Sequence, residues 1–348
     1  MLIRGAISPH SEKQSPARRP LSVDRANSPH NLTRRWQAYS VVTAAGSTGT
    51  EALTRLATLR QHQQDGRRSP HKPLLVLLAL GQLAVTGSSK LAWSDTATRL
   101  AALIKEFGPT SKTGRAQSAA YPFTRLRSDG VWQLDHDVPM DLITPLAAGQ
   151  VVGQFEPSLE AVLRANRALV HAAARGLVES HFPATLAPDI LAAVGLDPDT
   201  VLRAGDVLPD PSAETNARRR DPRWRAAVLQ AWDRQCAFCG YDGQIAGATV
   251  GVDAAHVRWF AFDGPDGPDN GLALCALHHK LFDVGALGLE HALHIQVSAT
   301  FTARATAGRA LYDLHGTELQ PRPGTTVPHP DHVTWHTQEV FKGQPLAA

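Results

Sequence analysis

The stretch from Cys236 to Asp283 holds all three cysteines of this 348-residue chain. It reads CAFC at 236–239, VDAAHV at 252–257 and DNGLALCALHHKLFD at 269–283. Cysteine and histidine recur there at spacings typical of metal ligands, C-x-x-C and C-x-x-H. We therefore expect one domain of the protein to be organised around this stretch.

The first set of candidate ligands predicts a structural zinc site. Two intervening residues form a tight knuckle that turns both ligand side chains toward one tetrahedral ion. Four protein ligands leave no open position for a substrate, so this zinc is expected to hold the fold. The alternative is two unrelated pairs of buried residues. The predicted zinc ligands are Cys236, Cys239, Cys275 and His278.

A second set of residues in the same stretch indicates different chemistry. His256 lies near the end of an apolar, strand-like segment at 249–257, and Asn270 falls in the loop that follows. His279 and Asp283 stand four residues apart on an expected helix, so they share one face of it. Adjacent helical side chains point about 100° apart, which lets His278 and His279 serve two different metal sites.

This order of His, Asn and His, fourteen and then nine residues apart, resembles the HNH (ββα-metal) endonuclease motif. The resemblance implies that His256 is the general base that activates water against a phosphodiester, a role suited to a group titrating near neutral pH. It also implies that Asn270 holds the loop and the base in place. His279 would then bind a catalytic divalent cation, Mg²⁺, Mn²⁺ or similar, in a metal-dependent DNA endonuclease.

The chain departs from that motif at one position. Many HNH sites have another metal ligand immediately before the base, where this chain has Ala255. Asp253 or Asp283 can substitute, and Asp283 has the better geometry because it lies one helical turn beyond His279. The alternative for Asp283 is a packing and capping role, and the alternative for His256 alone is a satisfied core histidine.

Composition places the protein among ordinary globular chains, with 43% hydrophobic and 19% charged residues and length enough for two domains. The net charge of +3 is too small to argue for a nucleic-acid partner, so local basic clusters must carry that argument. An odd number of cysteines favours metal binding in a reducing compartment over disulfides. The longest apolar run is shorter than a membrane span, and a cytoplasmic location is expected.

The fold class expected is α+β, with a mainly helical first domain at 49–203 that includes a β-hairpin, a linker at 204–222 and an HNH domain at 223–348. Residues 1–48, rich in Ser, Pro and Arg, predict a disordered basic extension that is either a nucleic-acid-binding tail or dispensable. The hairpin is expected around Asp129-Gly130, within 121–134. Helices are expected at 50–62, 74–83, 97–107, 158–179, 188–194 and 224–234.

Two segments of the first domain, SPHKPLLVLLALG at 69–81 and YPFTRL at 121–126, resemble the sulfur-binding domain fused to HNH domains in type IV restriction enzymes. The C-terminal segment 329–343 is similar to the tail of that group. The resemblance implies binding of double-stranded DNA in which sulfur replaces a non-bridging phosphate oxygen. Sulfur is larger and less strongly hydrated than oxygen, so an apolar concavity can prefer it.

The candidate apolar surface is Pro122 flanked by Tyr121 and Phe123, although Tyr-Pro-Phe can equally form a packed turn. Basic side chains would meet the remaining phosphate charge. The candidates for this role are His71, Lys72, Arg67, Arg68, Arg125 and Arg127.

The function expected from the sequence is a modification-dependent restriction endonuclease, with dimer action favoured for double-strand breaks by the single HNH site per chain. One alternative is an HNH nuclease that reads another mark, such as methylcytosine. Another is a zinc-containing DNA-binding protein without catalytic activity.

Overall fold

The computed structural model of the protein describes residues 47–60, 69–109, 118–203, 222–319 and 321–347. Several predictions fall outside these described residues. They concern residues 1–46 of the basic extension predicted at 1–48, the side chains of Arg67 and Arg68, and residues 204–221 of the linker predicted at 204–222.

The first half of the chain is mainly helical, as predicted. Its helices, in chain order, are α1 (Ser47–Ala57), α2 (His71–Thr86), α3 (Trp93–Phe107), α4 (Ala120–Arg125), α5 (Ile143–Ala148), α6 (Pro157–Ala165), α7 (Arg167–His181), α8 (Ala187–Ala193) and α9 (Pro198–Arg203).

Helix α2 forms the centre of this half. Every side chain from Leu74 to Leu80 is at most 1% exposed, so the helix is surrounded by protein on all sides. Pro73 lies in its first turn, where a missing N–H has no intrahelical partner to lose. The helix ends at Gly87, which takes a left-handed φ of 76° and donates its N–H to Leu83 O.

A three-stranded antiparallel sheet packs against these helices, with β1 (Leu91–Ala92), β2 (Trp132–Leu134) and β3 (Val152–Phe155) in the order β1-β3-β2. Phe123 on α4 makes edge-to-face contacts with Trp93 and Trp132, at centroid distances of 5.1 and 5.8 Å. These aromatic contacts join the sheet to α3 and α4.

The hairpin predicted around Asp129-Gly130 is wrong. Residues 120–125 form α4, and a 3₁₀ turn continues to Asp129 before Gly130 ends it with a φ of 71°. Phe123 and Leu126 are both fully buried at a spacing of three residues, which only a helical segment allows on one face. Strand β2 begins after this turn and pairs with β3, which lies farther along the chain.

The helix predicted at 158–179 is divided in two at Asn166. The backbone of Asn166 is extended, with φ −137° and ψ 97°, and its side-chain oxygen caps α7 by accepting from the N–H of Ala168 at 3.0 Å. Asparagine competes for backbone hydrogen bonds in this way, so it favours helix ends over helix interiors.

The second half contains the predicted strands and helix of the nuclease motif. Helix α10 (Pro222–Ala231) precedes a hairpin of β4 (Gln244–Ile245) and β5 (Ala248–Thr249). Strand β6 (Val252–His256) pairs antiparallel with β7 (Gly271–Cys275), and α11 (Ala276–Asp283) follows directly. The remaining elements are β8 (Leu287–Leu289), β9 (Ile295–Val297), α12 (Thr306–Arg309) and α13 (Pro330–Glu339).

The two halves share buried surface. Trp259, Trp335 and Val340 belong to the second half by sequence, yet they pack into the hydrophobic core of the first. A separate core forms around the β6–β7 pair and α10. The α+β class is confirmed, and within the described ranges every helix is too short or too polar to traverse a bilayer.

Candidate functional site

The four predicted zinc ligands converge at the base of the β6–β7 pair. Cys236 and Cys239 lie on a knuckle after α10, in which the Gly240 N–H donates to Cys236 O at 2.8 Å. Cys275 ends β7, and His278 lies in the first turn of α11. Their ligand atoms all lie within 4.8 Å of one another.

These distances fit a tetrahedral zinc ion. The Nδ1 atom of His278 lies 3.3 Å from the Sγ atoms of both Cys236 and Cys275. Ordinary Zn–S and Zn–N bond lengths put such ligand atoms roughly 3.5 Å apart around one ion. The Cys₃His cluster is therefore compatible with zinc, and its four protein donors would complete the coordination of the ion.

Burial changes the acid–base properties of this cluster. Desolvation raises the pKa of the Cys236 thiol, and it raises the pKa of Cys239 and Cys275 as well. It lowers the pKa of His278, which keeps that imidazole neutral and able to bind a metal. Zinc binding would displace the thiol protons, so the ion and the fold are thermodynamically coupled.

His256 occupies the last position of β6 and is held by two neighbours that the sequence did not identify. Its ring stacks on Trp224 of α10, with a centroid distance of 3.8 Å and an interplanar angle of 17°. Its Nε2 atom lies 2.7 Å from Oδ1 of Asp266, within hydrogen-bonding distance. Stacking on Trp224 fixes the plane of the ring, and the contact with Asp266 fixes its rotation within that plane. Such restraint would suit the general-base role expected for His256.

Asn270 ties down the loop between the two strands. It is completely buried, and its Oδ1 accepts from the N–H of Arg258 at 2.8 Å. Its Nδ2 donates to the carbonyl oxygens of Arg258 and Pro265, each at 3.0 Å. Asp266 follows Pro265 directly, so these bonds fix the segment that carries the partner of His256.

His279 and Asp283 meet on α11 as their spacing predicts. The Nε2 atom of His279 lies 3.4 Å from Oδ2 of Asp283, and the Asp283 side chain is only 2% exposed. An imidazole and a carboxylate one turn apart are suitable ligands for a divalent cation. Two protein donors also leave coordination positions for water and a phosphate oxygen, in contrast to the closed zinc cluster.

His279 opens onto a surface groove of about 500 Å³, and Asp253 lies on the same groove. The carboxylate of Asp253 is 57% exposed and accepts from Nε of Arg225 at 2.6 Å. Ala255 is fully buried and offers no donor atom. His256 is not among the wall residues, which are Thr185, Arg225, Thr249, Gly251, Val252, Asp253, Ala276, His279 and Lys280.

The predicted DNA-reading residues fall into two groups in the first half of the chain. Tyr121 is 49% exposed, and the guanidinium of Arg125 lies 5.4 Å from the centre of its ring. Pro122 and Phe123 are buried, and Phe123 serves the aromatic core. The Tyr-Pro-Phe segment is therefore packed as part of helix α4, with Pro122 and Phe123 buried and Tyr121 facing solvent.

Three of the basic candidates, His71, Lys72 and Arg125, have partners within the described part of the chain. Lys72 pairs with Asp129, and its side chain is only 15% exposed. Arg125 makes a two-pronged ion pair with Asp141, a non-glycine residue with a φ of 67°. Nδ1 of His71 lies 3.3 Å from Oγ of Ser69.

Exposed apolar residues adjoin Asp141, and the sequence gave no sign of them. Met140, Leu142 and Ile143 are each more than half exposed. The Asp141 N–H donates to Oγ1 of Thr124 at 3.1 Å, which holds this loop against α4, the helix that also carries Tyr121. Met140 and Leu142 lie in the loop before α5, and Ile143 begins that helix; clustered exposed apolar side chains of this kind are a feature of interaction surfaces.

Two family models match the chain. Residues 50–199 match the ScoMcrA-like DNA sulfur-binding domain, and residues 236–290 match the HNH endonuclease domain. The protein joins a DNA sulfur-binding domain to an HNH endonuclease domain. It is accordingly an endonuclease, and the fusion of a sulfur-binding domain to an HNH domain expected from the sequence is confirmed.

Solved structures resemble parts of this sulfur-binding HNH protein. The sulfur-binding domain of ScoMcrA complexed with phosphorothioated DNA is 23% identical, with a TM-score of 0.34, over 41% of this chain and 94% of that one. The type IV phosphorothioation-dependent restriction endonuclease ScoMcrA is 16% identical, with a TM-score of 0.31, over 75% and 84% of the two chains.

The modification-dependent TagI restriction endonuclease is 25% identical, with a TM-score of 0.29, over 36% of this chain. The matched part spans 40% of the TagI chain. Among curated protein sequences, none matches this protein.

The sequence located the candidate chemistry of the HNH domain but not its supporting residues. Asp266 lies in the repetitive loop DGPDGPD at 263–269, and nothing in that pattern tells which carboxylate reaches His256. Trp224 precedes His256, on which it stacks, by more than thirty residues of chain. Thr185, which contacts Asp283, comes from the sulfur-binding domain. Only the folded chain brings these residues to the site.

Proposed function

We propose that this protein is a type IV restriction endonuclease that binds phosphorothioate-modified DNA and hydrolyses phosphodiester bonds near the modification. The observation that carries the proposal is the presence, in one chain, of a DNA sulfur-binding domain and an HNH domain with its His, Asn and His side chains. A nuclease motif contacts DNA mainly through phosphates, so a separate reading domain must supply the choice of target.

In the proposed reaction His256 accepts a proton from the attacking water, while Asp266 and Trp224 hold its ring. Asn270 keeps the loop of Asp266 in place through three backbone contacts. His279 and Asp283 would hold a divalent cation such as Mg²⁺ or Mn²⁺. When bound, that ion would stabilise negative charge on the scissile phosphate and the leaving oxygen.

Reading of sulfur is assigned to the surface around Tyr121. The exposed ring of Tyr121 and the apolar side chains of Met140 and Leu142 offer an apolar surface. Transfer of a phosphorothioate sulfur from water to such a surface costs less free energy than transfer of the more strongly hydrated phosphate oxygen. Pro122 supports this surface from its buried position. The phosphate charge would meet Arg125 and His71, and the same role is proposed for Arg67 and Arg68, which precede α2.

The test is cleavage of two plasmids that differ only in phosphorothioate content, with Mg²⁺ and with Mn²⁺. We expect nicking of the modified plasmid alone. In His256→Ala the nicking rate should fall by a factor on the order of 10² or more. Equal cleavage of both plasmids would refute the reading of sulfur. Full activity of His256→Ala, or activity in EDTA equal to that with metal, would refute the catalytic assignment.

The reading surface is tested separately by DNA binding without metal. Tyr121→Ala should weaken binding of a modified duplex and leave binding of the unmodified duplex unchanged. Tyr241→Ala, which removes a similarly exposed ring from the HNH domain, is the matched control. Equal loss of affinity for both duplexes would mean that Tyr121 contacts DNA without reading sulfur.

A further inference from the structure

The candidate metal ligand Asp283 is held by a residue from the other domain. Thr185 lies in the turn between α7 and α8, within the residues matched to the sulfur-binding domain. Its hydroxyl donates a hydrogen bond to Oδ2 of Asp283. The same Oδ2 atom lies 3.4 Å from Nε2 of His279.

A second contact fixes Thr185 to the same helix. Nζ of Lys280 donates to the backbone oxygen of Thr185 and forms an ion pair with Asp189 of α8. The side-chain and main-chain oxygens of Thr185 are therefore both engaged with α11. This turn of the sulfur-binding domain is consequently fixed relative to the His279–Asp283 pair.

Burial makes the hydroxyl contact important for Asp283. The carboxylate is 2% exposed, and a buried charge without hydrogen-bond donors is strongly disfavoured. A donated hydrogen bond stabilises the ionised form and limits rotation of the carboxylate. Hydrogen bonds of this kind to metal ligands commonly alter metal affinity by about 10- to 100-fold.

We propose that Thr185 is a positioning residue for the catalytic cation, so that a side chain of the sulfur-binding domain sets the metal affinity of the HNH domain. This inference rests on the proposed function, because it takes His279 and Asp283 as the cation ligands. It assigns Thr185 no contact with DNA and no direct part in catalysis. It also makes the turn between α7 and α8 part of the nuclease site, although it belongs to the DNA-reading domain by sequence.

The experiment measures Mn²⁺ binding to the zinc-loaded full chain by calorimetry, in the absence of DNA. Thr185→Val removes the hydroxyl at nearly constant volume and should raise the Kd for Mn²⁺ on the order of tenfold. Thr185→Ser keeps the hydroxyl and should restore most of the affinity. Thr337→Val, which removes a hydroxyl bonded only to backbone oxygens of Val333 and Leu289, should bind Mn²⁺ like the wild type.

Kinetics provide a second readout that a merely structural role would not change. Thr185→Val should need more Mn²⁺ for half-maximal nicking, while its rate at saturating Mn²⁺ should approach that of the wild type. If Thr185→Val does not fold, Thr185→Ala serves the same purpose, since it removes the hydroxyl without adding a methyl group in its place.

The outcomes separate this inference from the proposed function. His279→Ala and Asp283→Asn should each weaken Mn²⁺ binding, and unchanged binding in both would overturn the metal site itself. Weakened binding in those two variants with wild-type affinity in Thr185→Val would overturn the positioning role alone. Loss of Mn²⁺ affinity in Thr185→Ser equal to that in Thr185→Val would also overturn it, because the hydroxyl would then be irrelevant.

Discussion

At the scale of single residues, the contact between Asp266 and His256 gives the HNH domain a carboxylate–imidazole pair. A carboxylate that holds an imidazole fixes both its tautomer and its orientation. Trp224 supports the other side of the ring by stacking. His256, the proposed base, is consequently held by residues from two separate segments, the loop after β6 and helix α10.

We predict that Asp266→Asn lowers the single-turnover rate constant for nicking on the order of 10²-fold. The amide lacks the negative charge that would stabilise the His256 imidazolium formed when that ring accepts a proton. The measurement is single-turnover nicking at saturating Mn²⁺. Asp313→Asn, an exposed position in a 3₁₀ turn, provides a control with the same change of charge. Equal rates in Asp266→Asn and the wild type would mean that the pair has no role in catalysis.

These residues also mark the limit of inference from the sequence. The zinc ligands and the His–Asn–His set could be predicted because short-range spacing alone brings C-x-x-C and i, i+4 pairs together. Asp266 and Thr185 could not, since each reaches its partner only through the path of a loop or the packing of two domains. Phe123 was predicted beside a DNA surface but is buried, because its ring packs between Trp93 and Trp132.

At the scale of elements, helix α2 lies in close contact with Val194, the residue that follows α8. Gly81 lies in the middle of α2, and a Cβ atom placed there would come within 1.8 Å of the backbone oxygen of Val194. Backbone atoms cannot move aside as a flexible side chain can. Glycine is therefore required by packing, although it is a poor helix former.

We predict that Gly81→Ala destabilises the protein by up to about 2 kcal/mol. Alanine gains roughly 1 kcal/mol of helix propensity over glycine. Forcing an extra methyl group into a packed contact costs about 1–3 kcal/mol, and here the clash is with backbone, so the cost prevails. Urea unfolding measures the difference, with Gln82→Ala as a neighbouring control. A more stable Gly81→Ala variant would show that α2 and α8 can separate freely.

The start of helix α6 is sensitive to acid. Glu156 caps the helix by accepting from the N–H groups of Ser158 and Leu159, and it pairs with Arg55. The hydrogen bonds from Ser158, together with those from Leu159 and Arg55, lower the pKa of Glu156 to about 2. A depressed pKa means that the contribution is present above the unfolded value and is lost as pH falls through about 2.

We therefore predict that Glu156→Gln lowers the melting temperature at neutral pH and that the difference from wild type shrinks as the pH falls from about 4.5 toward about 2. Comparing the two proteins at each pH removes the effects of other groups. The side chain is about a third exposed, so solvent screening keeps the effect small. A difference that stays constant across this pH range would contradict the capping role.

The segment around Asp129-Gly130 forms no hairpin because burial outweighs its turn signal. Asp-Gly is a strong hairpin signal when two strands flank it. Here the Asp129 carboxylate instead forms an ion pair with Lys72 and accepts a hydrogen bond from the backbone N–H of Arg60. Its neighbours Phe123 and Leu126 bury at helical spacing. Local turn chemistry fixed the position of the turn correctly, whereas burial decided whether strands or helices enter it.

At the scale of the whole molecule, the two domains share a core that their sequences do not reveal. Trp259 and Trp335 make an edge-to-face contact at 5.8 Å, and both pack into the core of the sulfur-binding domain. Nζ of Lys342 donates to the backbone oxygens of Lys105 and Gly108, at the end of α3. The boundary proposed at residues 204–222 consequently divides the chain in sequence, whereas in the folded protein the two domains pack against each other.

This shared core predicts how the protein responds to loss of zinc. The Cys₃His cluster joins the knuckle at Cys236 to α11, so removing the ion should unfold the HNH domain. Unfolding would withdraw Trp259 and Trp335 from the core of the sulfur-binding domain, and burial of each large aromatic contributes about 3 kcal/mol or more. We therefore predict that a strong chelator lowers the melting temperature of both domains together.

Calorimetry with and without chelator measures this effect, and Cys236→Ser serves as a chelator-free version of the same loss. Phe123 and Trp232 lie in the separate cores of the two domains, so near-ultraviolet circular dichroism should report both as they melt. Readdition of zinc should restore the original transition in the wild type but not in Cys236→Ser. A melting transition unchanged by chelation would show that zinc does not stabilise the fold. A drop confined to the HNH domain would instead show that the sulfur-binding domain holds its core without Trp259 and Trp335, in which case the contact of Thr185 with Asp283 is the stronger link between reading and cutting.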